Sequence, residues 1–368
     1  MIKPSLWIYI PCISGGGTER FFTQLASSLS TSYRITFFYS IPNNSVHLYN
    51  KQKDCIYVLL PTKSALLSAV YLSILSHIRR PNIILTAQNH CNVYFTLLKS
   101  FFFRHSSLVI SERAVASLAL ADNPTLARKF IRHLIPYVYN RADIIITQTN
   151  AVKSDLIDKF SVSESLIKVI PNFIDIDHIY SALNSTSHVS LNDFGISKPY
   201  IISLGRLVPQ KGHKYLISAF HQVSGLIPHN LYICGLGPDL DSLRDLCTSL
   251  NISHRVIFLG YVQSPYSLIY HSSLFILPSL YEGMPNALLE AISLDVPVIS
   301  SNCPSGPYEI LGQSYPSLLY NPTDFNSLSR LIIKQLNSPL KVDKSLLSSF
   351  SVEYVSMRFS SLLASLLR

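Results

Sequence analysis

The stretch LFILPSLYEGMPNALLEA, from Leu274 to Ala291, decides how the rest of the chain is read. It opens with four apolar residues, Leu274–Leu277, a run of the length and composition of a buried strand. Pro278-Ser-Leu-Tyr then lead to Glu282, a Gly-Met-Pro-Asn turn follows, and a helix is expected to start near Asn286. Strand, glycine-bearing loop and helix make one βα unit, the building block of parallel sheets covered on both faces. Glu282 is expected in the loop at the carboxyl edge of the sheet, and Glu290 about one turn into the helix. The helix start would offer free amides, near Ala287 to Leu289, to a phosphate. Glu290, on the same side, could accept hydrogen bonds from ribose hydroxyls.

Outward from this unit the same alternation repeats. Strands are expected at Leu6–Ile10, Arg34–Tyr39, Ile56–Leu59, Asn82–Thr86, Ser107–Ile110, Asp143–Thr147 and Leu166–Ile170. A second set covers Tyr200–Leu204, Leu231–Cys234, Val256–Leu259, Leu274–Leu277 and Pro297–Ser300. Helix-like segments such as Glu19–Ser30, Lys211–Leu226, Asp239–Leu250 and Ala287–Leu294 separate them. The stretch Asn172–Ser197, with its polar run SALNSTSHVSLND, breaks the rhythm and places the interdomain linker there, with 179–197 counted to neither domain. The expected organisation is a first domain over 1–178, a second over 198–345, and a terminal helix over 346–368 packing back on the first. The fold class is α/β, with two Rossmann-like, doubly wound parallel sheets.

Composition narrows the partners. The 368 residues carry 30 Lys+Arg against 21 Asp+Glu, a formal charge of +9, with 48% hydrophobic and 14% charged residues. So apolar a chain is not disordered. Six scattered cysteines with no C-x-x-C fit reduced thiols rather than a zinc site or a disulfide scaffold. The start, MIKPSLWIYIPCISGGG, reads as a first strand and turn, not as a secretory leader, and no window of about 18–20 apolar residues suggests a spanning helix.

Glycine is scarce, with 13 in all, and sits just past strands: Gly15-Gly16-Gly17, Gly205, Gly212, Gly235, Gly237, Gly260, Gly283 and Gly306. Glycine there lets backbone amides approach a ligand, and in open α/β sheets ligands bind beyond the carboxyl ends of strands. Neither G-x-x-x-x-G-K-[ST] nor G-x-G-x-x-G occurs, which weighs against P-loop chemistry and a Rossmann dehydrogenase.

With these residues in view, E-G-M-P-N-A-L-L-E-A resembles the E-x7-E motif of family 4 retaining glycosyltransferases, which have the GT-B fold. Ser203-Leu-Gly205-Arg206-Leu-Val-Pro-Gln-Lys211-Gly212 resembles the family's G-R-l-x-x-x-K-G segment. Cys234-Gly-Leu-Gly-Pro, Val256-Ile-Phe-Leu-Gly260-Tyr261 and Ser305-Gly306-Pro307-Tyr-Glu309-Ile310 resemble further family segments in the expected order. In the first half, Gly15-Gly16-Gly17-Thr-Glu19-Arg20 resembles the G-G-x-E-R loop, and Ile170-Pro171-Asn172 the i-x-N hinge. The resemblance implies two domains facing across a cleft and a nucleotide-sugar donor, UDP-linked by expectation, held mainly by the second. Arg206 and Lys211 would clamp the diphosphate, Glu290 the ribose and Glu282 the sugar hydroxyls. Gly205, Gly235, Gly283, Met284, Pro285, Asn286, Ala287, Leu288 and Leu289 would line the donor. The segment at Tyr261 would hold the base, and Gly16 and Gly17 would close over the diphosphate. It also implies retention of configuration, with no cofactor or metal required.

Other residues stay open. His90, after a first-domain strand, could touch the transferring sugar or the acceptor, or be a structural hydrogen-bonder. Glu112 and Arg113 end the next strand and could meet an acceptor phosphate, or form a salt-bridged loop. Asp175-Ile-Asp177 and Asp239-Leu-Asp241 mimic a metal motif, but the first lies in the expected linker and the second where helix-start carboxylates are ordinary.

The charge is uneven. Residues 1–190 hold 18 Lys+Arg and 10 Asp+Glu, and residues 191–368 hold 12 and 11. Within 79–141 there are 9 basic and 2 acidic residues, interleaved with Tyr94, Phe95 and Phe101-Phe102-Phe103. Leu126–Ile135 should be an amphipathic helix, Arg128, Lys129 and Arg132 on one side and Phe130, Ile131, Leu134 and Ile135 on another. Docking on an anionic membrane surface is expected, not nucleic-acid binding, for which no motif is present. The expected function is transfer of a hexose or N-acetylhexosamine to a polyprenyl-diphosphate glycan in surface-polysaccharide (O-antigen or capsule) synthesis, by a cytoplasmic, peripherally membrane-bound enzyme. The alternatives are another lipid or a soluble acceptor, or a catalytically silent GT-B subunit.

Overall fold

A computed structural model describes residues 3–13, 16–41, 54–103, 105–122, 125–184 and 191–367. Chain alternation produces two compact units, the first made of Met1–Phe173 with Val352–Arg368 and the second of Ile174–Ser351.

The first unit holds β1 Ser5–Tyr9, β2 Arg34–Tyr39, β3 Cys55–Leu59, β4 Ile83–Ala87, β5 Ser107–Glu112, β6 Ile144–Thr147 and β7 Ile167–Val169, in the spatial order β3-β2-β1-β4-β5-β6-β7. Every pairing is parallel, for example Trp7 opposite Thr36 on one side and Ile84 on the other. Because successive side chains point to opposite faces, β1 feeds two cores at once. Leu6 and Ile8 pack with Phe21, Phe22 and the terminal helix residues Val355, Phe359 and Leu363. Trp7 and Tyr9 pack on the other face with Phe95, Phe103, Ile131 and Ile135. The apolar runs needed no alternation because both faces are covered.

The second unit repeats the scheme with β8 Tyr200–Leu204, β9 Asn230–Cys234, β10 Val256–Gly260, β11 Leu274–Leu277, β12 Val298–Ser301 and β13 Leu319–Tyr320, ordered β10-β9-β8-β11-β12-β13. Again all pairs are parallel. In each unit the strand order reverses between two neighbours, β1/β4 and β8/β11. These switch points are where open α/β sheets leave a crevice for a ligand.

Three expectations shift. The two-residue β13 was not anticipated; so short a strand leaves no apolar run to read. The expected linker at 179–197 falls within the second unit, whose helix Ile176–Asn184 overlaps it, and the chain passes between units at Phe173/Ile174 and again at Ser351/Val352. Buried Ile179 and the hydrogen bond from Tyr180 Oη to Ser293 O (3.1 Å) hold that helix down despite its polar flank. Asp175 is accordingly not a linker residue: its Oδ1 accepts from His178 N at 2.9 Å, a helix-start contact. The terminal helix runs over Val352–Ala364.

Candidate active site

In the second unit, β8 and β11 end side by side at the switch point. After β8 the chain turns through Gly205 and Arg206 into a short 3-10 turn, Pro209–Lys211, then Gly212. Gly212 has φ +63°, and a methyl there would lie 2.1 Å from Pro278 O, so only glycine lets this loop touch the one after β11. Leu280 N donates to Gln210 O at 2.8 Å and Gln210 Nε2 to Tyr281 O at 3.0 Å, lacing the two loops together. Gly235 (φ +151°), at the end of β9, approaches Gly205 so closely that a methyl would sit 1.9 Å from its carbonyl oxygen.

That lacing brings Lys211 to Glu282: Nζ lies 2.5 Å from Oε1, and Ser279 Oγ donates to the same oxygen at 2.6 Å. Glu282 is buried, and the Lys211 side chain is 18% exposed. Arg206 is exposed beside them, its Nη2 3.5 Å from Gln210 Oε1. The site thus combines one neutralised ion pair with one outward-facing guanidinium.

The helix Asn286–Ser293 starts after Pro285 with no side-chain cap. Leu288 N and Leu289 N bond back to Pro285 O at 3.0 and 3.4 Å, so two of the amides expected to be free for a phosphate are already engaged. The side chains of Leu288 and Leu289 are fully buried in the core, and Met284 is buried with them. Glu290 is buried one turn beyond Asn286, on the same face by i,i+4 spacing. Tyr261, just past β10, is exposed. The structure therefore gathers Gly205, Arg206, Lys211, Glu282, Gly283, Pro285 and Asn286 around the β8/β11 edge.

Four neighbours escaped sequence reasoning: Ser279, Gln210, His213 and Cys303. His213 opens the helix His213–Ser224 and is buried beneath Gly205, with neither ring nitrogen in a hydrogen bond of ordinary geometry. Burial, aided by the Lys211 charge, pushes its pKa down to about 4, so the ring is neutral. Burial and the Glu282 charge push the Cys303 thiol up to about 12. The signal for Gln210 and Ser279 was their place in the two flanking loops; nothing local marked the others.

In the first unit the residues expected to serve a site lie past β1, β4 and β5. Gly16 leads into the helix Gly17–Leu29, and a methyl on Gly16 would come within 2.4 Å of Glu19 Oε2. Past β4, Gln88 adopts φ +79°, a strained conformation for a residue with a side chain, and the helix Asn89–Phe102 begins. His90 sits in its first turn, its ring edge-on to Tyr94 at 6.4 Å, with its pKa lowered by burial.

Glu112 and Arg113 do not form the surface pair that sequence adjacency suggests. They point to opposite sides of the sheet, and both are buried. Glu112 Oε1 accepts from Asn89 Nδ2 at 2.9 Å and Oε2 from Tyr139 Oη at 2.8 Å, so it braces the loop that presents His90. Burial pushes its pKa up to about 7. The Arg113 guanidinium stacks 4.2 Å from the Phe21 ring centroid and donates to Asn172 Oδ1, and burial lowers its pKa to about 9. Alternation along the strand explains the separation: neighbours in sequence face different cores.

Among the described residues no three His, Cys, Asp or Glu side chains gather as metal ligands. Asp239 and Asp241 stand at the start of the helix Leu240–Ser249, Asp241 4.0 Å from Arg244.

Two doubly wound parallel sheets, the second with a cation-and-carboxylate cluster at its switch point, define the GT-B architecture. Residues 192–346 match the family model described as Glycosyl transferases group 1, and residues 15–178 the one described as Glycosyltransferase Family 4. The chain belongs to the glycosyltransferases. It is 32% identical over 63% of its length to an uncharacterized glycosyltransferase of Methanocaldococcus jannaschii, the match taking in 58% of that relative. It is 27% identical, over 88% of its length and 87% of the relative's, to the N-acetylgalactosamine-N,N'-diacetylbacillosaminyl-diphospho-undecaprenol 4-alpha-N-acetylgalactosaminyltransferase of Campylobacter jejuni. Among solved structures, Anabaena HepE in complex with UDP and glucose superposes with a TM-score of 0.81, covering 98% of this chain and all of the other at 18% identity; it shares the fold.

Proposed function

We propose that this chain is a retaining glycosyltransferase that moves a hexose or N-acetylhexosamine from a nucleotide sugar, UDP-linked, to a polyprenyl-diphosphate-linked glycan during surface-polysaccharide synthesis. The observation that carries the donor half is the laced pair of loops holding Arg206 and Lys211–Glu282 at the β8/β11 edge. A glycosidic bond to a diphosphate breaks most easily where the departing negative charge meets fixed positive charge. Arg206 supplies an outward fork suited to phosphate oxygens, and Lys211 a point charge already held in place by Glu282. With these cations present the reaction needs no metal in this reading. Glu282 binds the sugar hydroxyls, Glu290 the ribose, and the loop at Tyr261 the base.

Retention is part of this reading and rests on the family likeness. A covalent route would need a free carboxylate as nucleophile, whereas Glu282 Oε1 is already engaged by Lys211 and Ser279. In this reading the leaving phosphate oxygen takes the acceptor's proton on the face it departs from. His90, braced through Asn89 and Glu112, contacts the transferring sugar or acceptor. The lipid-linked acceptor is supported by the Campylobacter relative, whose name describes a diphospho-undecaprenol substrate. A cytoplasmic place at the inner membrane face is supported by six cysteines outside any disulfide and by the basic first half. Among the described residues no helix is long and apolar enough to cross a membrane.

The test is a panel of UDP- and GDP-sugars, scored for donor hydrolysis and for transfer to polyprenyl-diphosphate sugars, with the product's anomeric configuration read by NMR. One UDP-sugar turned over with retention is expected. An inverted product would sink the mechanism, and a protein inert to every donor would favour a binding subunit.

A further inference from the structure

The helix Ala65–Arg79 is built inside out. Its sequence, ALLSAVYLSILSHIR, buries Ser68, Ala69, Leu72, Ser73 and Ser76 against the rest of the unit. Leu66, Leu67, Val70, Tyr71, Ile74 and Ile78 are left exposed, Ile78 by 73%, Leu67 by 57% and Ile74 by 55%. At about 100° per residue the exposed six fall in an arc of about 140°, and the buried five in an opposing arc of similar width. Two inward hydroxyls satisfy themselves on the helix's own carbonyls, Ser73 Oγ to Ala69 O and Ser76 Oγ to Ser73 O, each at 2.6 Å. His77, also exposed, falls near one edge of the same arc. Single apolar side chains at a surface are ordinary, but six along nearly four turns mark a surface that meets something apolar.

The neighbourhood indicates what. The helix Asn89–Phe102 packs beside it, and Leu126–Val138 beside that. These three helices contain no Asp or Glu; they carry Arg79, Lys99, Arg128, Lys129 and Arg132, besides His77, His90 and His133. Lys99 is paired with Asp143, 2.6 Å away. Arg128, Lys129 and Arg132 are exposed together with Phe130, and Arg128 Nη1 donates to Asp122 O. A second copy of the chain would set two cationic faces against each other.

We infer that the Ala65–Arg79 stripe inserts into an anionic phospholipid surface, the helix lying in the plane of the membrane at the boundary of headgroups and acyl chains. At about 1.5 Å per residue its 15 residues reach about 22 Å, short of the roughly 30 Å hydrocarbon core, so it dips in and does not cross. The basic helix supplies attraction to the headgroups, and the stripe supplies apolar burial that salt does not screen. This inference rests on the proposed lipid-linked acceptor, which it would bring within reach.

The test is flotation with vesicles of equimolar phosphatidylcholine and phosphatidylglycerol. Wild-type protein floats and keeps part of its binding in high salt. The triple variant Leu67→Ser/Ile74→Ser/Ile78→Ser loses at least about tenfold in partitioning, with unchanged circular dichroism and unchanged donor hydrolysis without vesicles. Ile78→Ser alone, at the most exposed of the six, loses about threefold. Lys129→Gln/Arg132→Gln keeps residual binding but loses the preference for anionic over pure phosphatidylcholine vesicles. Flotation of the triple variant at the wild-type level would overturn the inference. So would a wild-type dimer in sedimentation velocity that the triple variant dissolves while still binding vesicles. Failure of the transferase reading shows separately, as wild-type protein that floats but turns over no donor.

Discussion

Cutting the Lys211–Glu282 pair from one side should cost more stability than cutting it from both. Lys211→Ala leaves the buried Glu282 carboxylate with Ser279 as its remaining side-chain hydrogen-bond partner. Removing one member of a buried ion pair costs about 3–5 kcal/mol. The partial exposure of the Lys211 side chain, 18%, lets water reach the gap and lowers the figure to about 2–4 kcal/mol. For a unit of this size each kcal/mol moves the midpoint about 2–4 °C, so the second unit should melt roughly 4–16 °C lower. Glu282→Ala should cost somewhat less, because the lysine left behind can reach solvent. The double variant should recover at least about 1.5 kcal/mol against the sum of the singles. The assay is urea and thermal unfolding of all four proteins, the transition of the second unit followed separately because two units need not unfold together. Additive losses, or a Lys211→Ala protein within about 0.5 kcal/mol of wild type, would refute the argument that the pair fastens the two loops.

Gly235→Ala should destabilise by about 3 kcal/mol or more and weaken donor binding, read by calorimetry with UDP, since its methyl would sit 1.9 Å from Gly205 O; normal UDP affinity would be the contrary result. For Glu112 the sign follows from its raised folded pKa of about 7 against 4.5: the protonated form is favoured by folding, so its contribution is present below pH 4.5 and is lost as pH rises through 7. Glu112→Gln should therefore gain stability relative to wild type by about 2–3 kcal/mol between pH 4.5 and 8; a pH-independent difference in urea unfolding would contradict this. Arg113→Lys keeps the charge but loses the planar stack on Phe21, and should cost about 1–3 kcal/mol in the first unit while leaving UDP affinity in the second untouched.

The sheets were readable because strands buried on both faces are bare apolar runs, and 12 of the 13 among the described residues announced themselves; β13, two residues long, had no run to show. The loops around Gly205–Gly212 and Glu282–Asn286 were readable because glycine and proline mark turns locally. What sequence alone could not show is pairing at a distance. Nothing in the chain ties Lys211 to Glu282, 71 residues on, or sets Glu112 under Asn89 and Tyr139. Side-chain direction was the other gap. Phe95 and Phe103 turn into the core while Phe101 and Phe130 turn out. The helix Ala65–Arg79 is apolar nearly all round, so only its serines, which line the inner face, betray which way it faces.

The first unit is discontinuous in the chain: its face bearing Phe21 and Phe173 is finished only by Val355 and Phe359, from the last helix. On a ribosome, the second unit is therefore fully synthesised while the first is still open. Roughly 180 residues separate the two segments of the first unit. At about 5–20 residues per second the open face waits roughly 10–40 s for its closing piece. The order of completion thus inverts the order of synthesis, and the newborn protein depends in that interval on whatever shields its aromatic face from its neighbours.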